Sequence, residues 1–127
     1  MEQKGIGKTI LVVDDKEENR RLLKKILVRH AYRIIEATTG EQAIDLANSE
    51  KPDLILMDIR LRNGVDGIEA TRRLKSSERT AGIPIVAITA SVSPEDMQRA
   101  LDAGCKGFIR KPIDIAEFPE QMAQYIV

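Results

Sequence analysis

Three aspartates and one lysine stand at the ends of apolar runs, where their side chains could do metal and phosphoryl chemistry. Asp14 and Asp15 directly follow one run, Asp58 follows a second, and Lys111 closes a third. Burying a carboxylate is costly unless it is paired or bound to a metal, so these positions are unusual for stability alone. If the runs are parallel strands of one sheet, the four side chains converge at the edge where open α/β folds bind ligands.

Such an acid cluster is suited to a hard divalent cation. Three carboxylates at close range repel one another, and without a cation at least one of them would take up a proton. Ligands that are all oxygen atoms favour Mg²⁺ or Mn²⁺ over zinc. Because Mg²⁺ keeps several waters, the site would have room for phosphate oxygens. A carboxylate beside the metal could then act as a nucleophile toward phosphorus and become an aspartyl phosphate.

Two more side chains are predicted at the same edge of the sheet. Thr89 follows the apolar run 85–88, and its hydroxyl could donate a hydrogen bond to a phosphoryl oxygen. Lys111 could supply a positive charge, and the small Ala90 would leave the acceptor carboxylate open to a donor. Positioning and charge neutralisation do most of the work in phosphoryl transfer, and these residue types provide both.

The elements that must position these groups alternate regularly. Strands are predicted over 9–13, 33–37, 54–57, 85–88 and 107–110, with segments of helical period between them. The first, third and fourth strands are continuously apolar, as expected for parallel strands covered on both faces. Five strands alternating with five helices predict a (βα)5 chain, an α/β fold in which right-handed crossovers place helices on both faces of a parallel sheet.

Several helix ends carry capping signals. Thr39 with Gln42 predicts a capping box for the second helix. Ser93 followed by Pro94 predicts the start of the fourth helix, and Gly104 predicts its end.

The fifth helix has two candidate starts. Asp114 could cap it, but Pro119 would then lie deep enough in the helix to cost a hydrogen bond. A late start near Pro119 and a short helix are therefore predicted.

At the other end of the domain, Arg20 and Arg21 in the first helix are interpreted as part of a solvated face.

Composition indicates one soluble globular domain. The 127 residues are 43% hydrophobic and 31% charged, and 20 basic side chains balance 20 acidic ones. Zero net charge argues against nucleic-acid binding through bulk electrostatics. No apolar run approaches the roughly 20 residues that span a bilayer, and the N-terminus lacks a signal-peptide pattern. A single cysteine, Cys105, favours a reduced cytoplasmic protein.

Four motifs, taken together, resemble the receiver domain of two-component response regulators: Val12-Val13-Asp14-Asp15, Leu56-Met57-Asp58, Ile88-Thr89-Ala90 and Lys111-Pro112. Each is weak alone, but all four in order across a whole domain are specific. The match runs from about Thr9 to the C-terminus. It is most similar to stand-alone, chemotaxis-regulator-like proteins and to receivers of hybrid histidine kinases. It implies a flavodoxin-like doubly wound fold with strand order 2-1-3-4-5, with 1–8 as a lead-in and 9–127 as the receiver domain.

The resemblance also implies roles for individual residues. Asp58 would be the phosphoacceptor, and Thr89 and Lys111 would bind the phosphoryl oxygens. The metal ligands would be the side chains of Asp14, Asp15 and Asp58 and the backbone carbonyl of Arg60. Thr89 and Phe108 would form the switch, in which the aromatic ring turns inward when the threonine moves toward the phosphate. Phe108 as an ordinary core residue is the alternative.

The loop after the acceptor departs from the family pattern. The family usually has a short loop with a proline that ends in Asp-Gly, whereas here 61–65 leads to Asp66-Gly67, lacks proline and is one residue longer. Asn63-Gly64 is a turn signal that could absorb the extra residue. We hypothesise that the Arg60 side chain influences access of the water that would attack the phosphoryl group.

The expected function is a phosphoacceptor signalling switch that only phosphorylates and dephosphorylates itself. Its expected partners are a histidine kinase or a histidine phosphotransfer protein and a downstream effector, without direct nucleic-acid or membrane binding. The chain would be a monomer or a weak homodimer. Alternatives are a receiver segment from a hybrid kinase, a magnesium-dependent aspartyl-phosphate phosphatase, a flavin-binding module and a purely structural metal site.

Overall fold

Five parallel strands form the central sheet in a computed structural model that describes residues 7–62, 64–90 and 93–126. The strands are β1 (Thr9–Val13), β2 (Arg33–Ala37), β3 (Leu54–Asp58), β4 (Ile85–Thr89) and β5 (Gly107–Arg110). Their order is β2-β1-β3-β4-β5, which confirms the predicted topology. β3 and β4 each extend one residue beyond the predicted end, so Asp58 and Thr89 are the last residues of their strands.

Helices cover both faces of this sheet. They are α1 (Glu17–Val28), α2 (Gly40–Glu50), α3 (Gly67–Ser76), α4 (Pro94–Ala103) and α5 (Phe118–Ala123). Alternate residues of the inner strands serve two separate cores: Leu11, Ile55 and Ile85 pack with α2, α3 and α4. The intervening residues pack with α1 and α5, among them Ile10, Leu54 and Val86. Both faces of β1, β3 and β4 are therefore apolar, which explains their continuous hydrophobic runs.

The predicted caps of α2 and α4 are confirmed, with one change in geometry. The Thr39 hydroxyl accepts a hydrogen bond from the Gln42 N–H at 3.1 Å. The Gln42 side chain accepts from the N–H of Thr38 at 2.8 Å, one residue earlier than a capping box requires. Ser93 accepts from the Asp96 N–H at 3.1 Å. Gly104 ends α4 with φ +117°, a left-handed conformation that costs glycine little.

The late start of α5 is confirmed. Asp114 accepts hydrogen bonds from the N–H groups of Ala116 and Glu117, at 2.9 and 3.1 Å, which form a turn before the helix. α5 begins at Phe118, so Pro119 lies in its first turn, where its missing N–H costs nothing. None of the described helices combines the length and the apolarity that a membrane span needs.

Candidate functional site

The three aspartates meet at the carboxyl edge of the sheet. β1 and β3 are neighbours in parallel register, with Val13 opposite Met57, so Asp14 lies beside Asp58. Carboxylate oxygens of Asp14, Asp15 and Asp58 all lie within 4.8 Å of one another. The sequence predicted this convergence from strand ends alone. An all-oxygen ligand set at this spacing suits a hard divalent cation such as Mg²⁺.

Asp14 forms a hydrogen bond through each of its polar atoms and is only 2% exposed. Its N–H donates to the carbonyl of Ala37 at 3.1 Å, which extends the pairing of β1 with β2. Its Oδ1 accepts from the N–H of Lys16 at 2.9 Å, and its Oδ2 accepts from Nζ of Lys111 at 3.0 Å. Its own carbonyl accepts from Nη1 of Arg20 at 2.8 Å. Asp14 therefore has a fixed orientation within the site.

Lys111 lies between two of the carboxylates. Its Nζ is 3.0 Å from Oδ2 of Asp14 and 3.2 Å from Oδ2 of Asp58. The Lys111–Pro112 peptide bond is cis, and the Lys111 N–H donates to the carbonyl of Thr89 at 2.8 Å. The lysine that follows β5 is thereby fastened to the end of β4, with its ammonium group at the acid cluster.

The environment shifts the pKa values of both partners. Burial raises the pKa of the Asp58 carboxyl group, while the Arg60 N–H, which donates to Oδ1 at 2.9 Å, and the charge of Lys111 oppose that rise. Burial by itself would lower the pKa of Lys111, but the carboxylates of Asp58 and Asp14 outweigh it and raise that pKa. Lys111 therefore stays protonated beside the two carboxylates.

Thr89 and Ala90 complete this edge of the sheet. Asp58 is opposite Ile88 in the register of β3 and β4, so Thr89 lies one residue beyond it on the neighbouring strand. Thr89 is buried and Ala90 is exposed. The sheet register thus brings a threonine to the edge that holds Asp58 and places a small residue at the surface there.

The loop after β3 contacts the cluster from outside. The Arg62 N–H donates to Oδ2 of Asp15 at 3.2 Å, and its guanidinium Nε is 3.9 Å from the same oxygen. Gly64 has φ +71°, which fits the predicted turn; Asn63, the other half of that turn signal, lies outside the described residues. The backbone of Arg60 is part of this loop, and its carbonyl as a metal ligand stays a prediction.

Phe108 occupies the middle of β5, opposite Ala87 of β4. It is half-buried and packs against the core that α2, α3 and α4 cover. This position fits both an ordinary core residue and a ring that changes its burial, so its role as a switch stays a prediction.

The acid cluster opens into a cleft of about 630 Å³. Its polar wall contains Asp14, Asp15, Asp58 and Lys111, and its apolar wall contains Leu22, Ile88 and Ile113. The acid cluster therefore borders a cleft that has one polar and one apolar wall.

Sequence reasoning missed Arg20, which contacts this site, as well as the contacts of Asn19 with Asp14 and of Arg62 with Asp15. The sequence pattern predicts a solvated Arg20, but its side chain is only 14% exposed and contacts both Asp14 and Glu36. The signal was its helical spacing, because position 20 shares a face with Leu23 and Leu27, three and seven residues on, which are buried. Arg20 therefore points toward the sheet, and the interpretation of a solvated face holds for Arg21, which is 73% exposed.

Comparisons with known proteins agree with this fold. The family described as the response regulator receiver domain matches residues 10–123. The chain therefore belongs to the receiver domains of two-component response regulators and is a regulatory signalling domain. One similar relative is the polar-differentiation response regulator DivK of Brucella ovis, 38% identical over 119 residues that cover 94% of this chain and 96% of the relative.

Solved structures share the architecture. The receiver domain of the sensor histidine kinase PA1611 from Pseudomonas aeruginosa, with a magnesium ion coordinated in its active-site cleft, is 32% identical, with a TM-score of 0.85 over 93% of this chain and 96% of that one. The chemotaxis protein CheY4 of Vibrio cholerae, 23% identical, has a TM-score of 0.87 over 94% of this chain and 98% of that one, which shows the shared fold.

Proposed function

We propose that this chain is a phosphoacceptor switch that receives a phosphoryl group on Asp58 from a phosphohistidine donor. The observation that carries the proposal is the setting of Asp58, whose carboxylate shares an acid cluster with Asp14 and Asp15, lies 3.2 Å from Nζ of Lys111 and borders an open cleft. Membership of the receiver family and a magnesium-bound relative of the same fold support it.

Each residue of the site has a separate role in the proposed phosphoryl transfer. An Asp58 oxygen attacks phosphorus as the phosphorus–nitrogen bond to the donor imidazole breaks, and the bonding pair leaves with that nitrogen. Lys111 and Thr89 bind the phosphoryl oxygens, so charge develops against a fixed cation and a hydroxyl donor. Asp14, Asp15 and Asp58, with the Arg60 carbonyl, hold Mg²⁺ or Mn²⁺, which neutralises the crowded negative charge when bound.

The proposed change in the effector-binding surface depends on the neighbouring strands that hold Thr89 and Phe108. Thr89 ends β4, and Phe108 is in the next strand, so a shift of Thr89 toward the phosphate would leave space for the aromatic ring. Phosphorylation would thereby bias two states of the surface formed by α4, β5 and α5, which a downstream effector distinguishes. The donor would be a histidine kinase or a histidine phosphotransfer protein, docked on the apolar wall of the cleft.

The direct test is incubation with Mg²⁺ and acetyl phosphate, followed by intact mass. Wild type should gain one labile phosphoryl group, and Asp58→Asn should gain none. Asp45→Asn, which removes an exposed carboxylate on α2, is the matched control and should behave as wild type. Chelation of the metal should abolish the modification. An unmodified wild type would overturn the proposal, and rapid turnover of many phosphomonoesters would favour a phosphatase instead.

The remaining expectations stay predictions. They are the cytoplasmic location, the monomer or weak homodimer, the absence of direct nucleic-acid and membrane binding, and the division of the chain at residue 8. A stand-alone regulator and the receiver of a hybrid kinase contain the same module, and both kinds of protein are among the relatives.

A further inference from the structure

One arginine of α1 is fixed to the backbone of the acid cluster. The Nη1 of Arg20 donates to the carbonyl oxygen of Asp14 at 2.8 Å, and its Nε is 3.2 Å from Oε1 of Glu36 on β2. Lys24, one turn further along α1, also contacts Glu36, at 3.7 Å. With only 14% of its side chain exposed, Arg20 bridges a helix, a strand and the segment that follows β1.

The carbonyl that Arg20 binds belongs to the peptide group that joins Asp14 to Asp15. Rotation of that peptide plane would turn both residues, since it changes ψ of the first and φ of the second. Asp14 has further restraints through its side chain and its N–H. The Asp15 carboxylate accepts a hydrogen bond from the N–H of Arg62 in the β3–α3 loop, at 3.2 Å. The orientation of the Asp15 backbone therefore depends on the Arg20 contact.

We propose that Arg20 is a positioning residue for the metal site, holding the Asp14–Asp15 peptide so that both carboxylates face the cation. This inference rests on the proposed function, because it concerns the same Mg²⁺ site. Groups that orient metal ligands typically contribute ten- to a hundredfold to metal affinity. Glu36 helps to fix the Arg20 guanidinium, because it binds Nε while Nη1 binds the Asp14 carbonyl.

Simple electrostatics predicts the opposite effect of Arg20 on the affinity for Mg²⁺. Arg20 is a cation close to a cation site, so removal of its charge alone would strengthen Mg²⁺ binding. Loss of a positioning contact would weaken it. The direction of the change in affinity therefore separates a positioning role from a charge effect, and an arginine that only stabilises the fold would change the unfolding temperature without changing the affinity of the folded protein.

The experiment is calorimetric titration of the full chain with Mg²⁺ at a temperature where every variant is folded. Arg20→Gln should bind Mg²⁺ about tenfold more weakly than wild type. Arg20→Lys keeps the charge but lacks the planar fork that reaches both partners, so it should also bind more weakly. Arg21→Gln is the matched control: its side chain is 73% exposed and pairs with Glu17, and its affinity should be unchanged or slightly higher.

A second readout uses the metal-free protein. Loss of the hydrogen bond to the Asp14 carbonyl should shift the amide nitrogen resonance of Asp15 in both Arg20 variants, and not in Arg21→Gln. Arg20 variants that bind Mg²⁺ as tightly as wild type, or more tightly, would overturn the positioning role and leave the proposed function standing. A wild type that binds no Mg²⁺ would overturn both.

Discussion

The Arg60 guanidinium forms an ion pair with Asp96 in the first turn of α4, with Nη2 2.6 Å from Oδ2. Arg60 lies two residues after Asp58, so this contact joins the loop of the proposed phosphoacceptor to the helix that follows β4. The side chain of Arg60 is 68% exposed, whereas that of Asp96 is 17% exposed and also lies near Arg99. The arginine is thus directed toward α4.

The ion pair makes a prediction for the lifetime of the aspartyl phosphate. A phosphoryl group on Asp58 adds negative charge that competes with Asp96 for the Arg60 guanidinium. Arg60→Ala should shorten the lifetime, because the attacking water loses an obstacle, and Asp96→Asn should lengthen it, because Arg60 becomes free to cover the phosphate. Changes of up to about fivefold are expected, which corresponds to ~1 kcal/mol for an exposed pair.

The lifetime is measured as the decay of the phosphorylated mass after removal of the donor. Arg99→Ala removes the other arginine near Asp96, at 3.7 Å, and should leave the lifetime unchanged. Identical lifetimes in wild type and Arg60→Ala would dispose of the hypothesis.

Replacement of Lys111 should make stability depend on metal. In Lys111→Met, Asp14 and Asp58 lose the cation that lies between them, so the metal-free protein should be about 1–3 kcal/mol less stable toward urea. Saturating Mg²⁺ should restore most of that loss, because a cation again neutralises the carboxylates. The exposed Lys106, which directly precedes β5, provides the control, and Lys106→Met should unfold as wild type does. A stability loss that Mg²⁺ leaves unchanged would contradict this account.

Gly67 should tolerate no side chain at the start of α3. A Cβ there would lie 2.1 Å from the Asp58 carbonyl oxygen and 2.6 Å from Cα of Ile59, both backbone atoms of β3 and the loop after it. Gly67→Ala should lower the free energy of unfolding by about 1–3 kcal/mol, as overpacking does. Gly82→Ala is the matched change, since nothing lies within 4 Å of its Cβ. Equal stabilities of the two variants would show that the β3–α3 loop adjusts freely.

Cys105 should be unreactive in the folded protein. Burial raises the pKa of its thiol, which also donates to the hydroxyl of Thr71 at 3.9 Å. A raised pKa means that the folded chain holds less thiolate than the unfolded chain at the same pH, so a disulfide reagent should react slowly at pH 7 and quickly after unfolding.

The same pKa shift links stability to pH. The folded state favours the neutral thiol, so this contribution is fully present below about pH 8.5, the ordinary thiol pKa, and is lost as the pH rises through the higher folded value. The free energy of unfolding of wild type, measured with urea, should therefore fall over that alkaline range more than that of Cys105→Ala. Parallel pH profiles of the two proteins would refute the link.

Local patterns in the sequence already contain most of the architecture. Continuous apolar runs are typical of strands covered on both faces, and Thr39, Ser93 and Gly104 mark helix ends through contacts with residues only a few positions away. Pro119 places the start of α5 for the same reason, since its missing N–H is tolerated only in the first turn. The acid cluster was also predictable, because parallel strands bring their carboxyl ends to one edge.

Contacts between distant side chains were decided only by the tertiary structure. Nothing local to Arg60 selects Asp96, 36 residues away, and nothing local to Arg20 selects the Asp14 carbonyl over solvent. The position of Lys111 between Asp14 and Asp58 depends on how β5 and β4 are aligned with β1 and β3. Periodicity determines which face of an element is buried, but the partner of a long charged side chain depends on the register and packing of whole elements. The sequence by itself therefore determined the sheet and its acidic edge. Packing determined which basic side chain forms an ion pair with each acidic one.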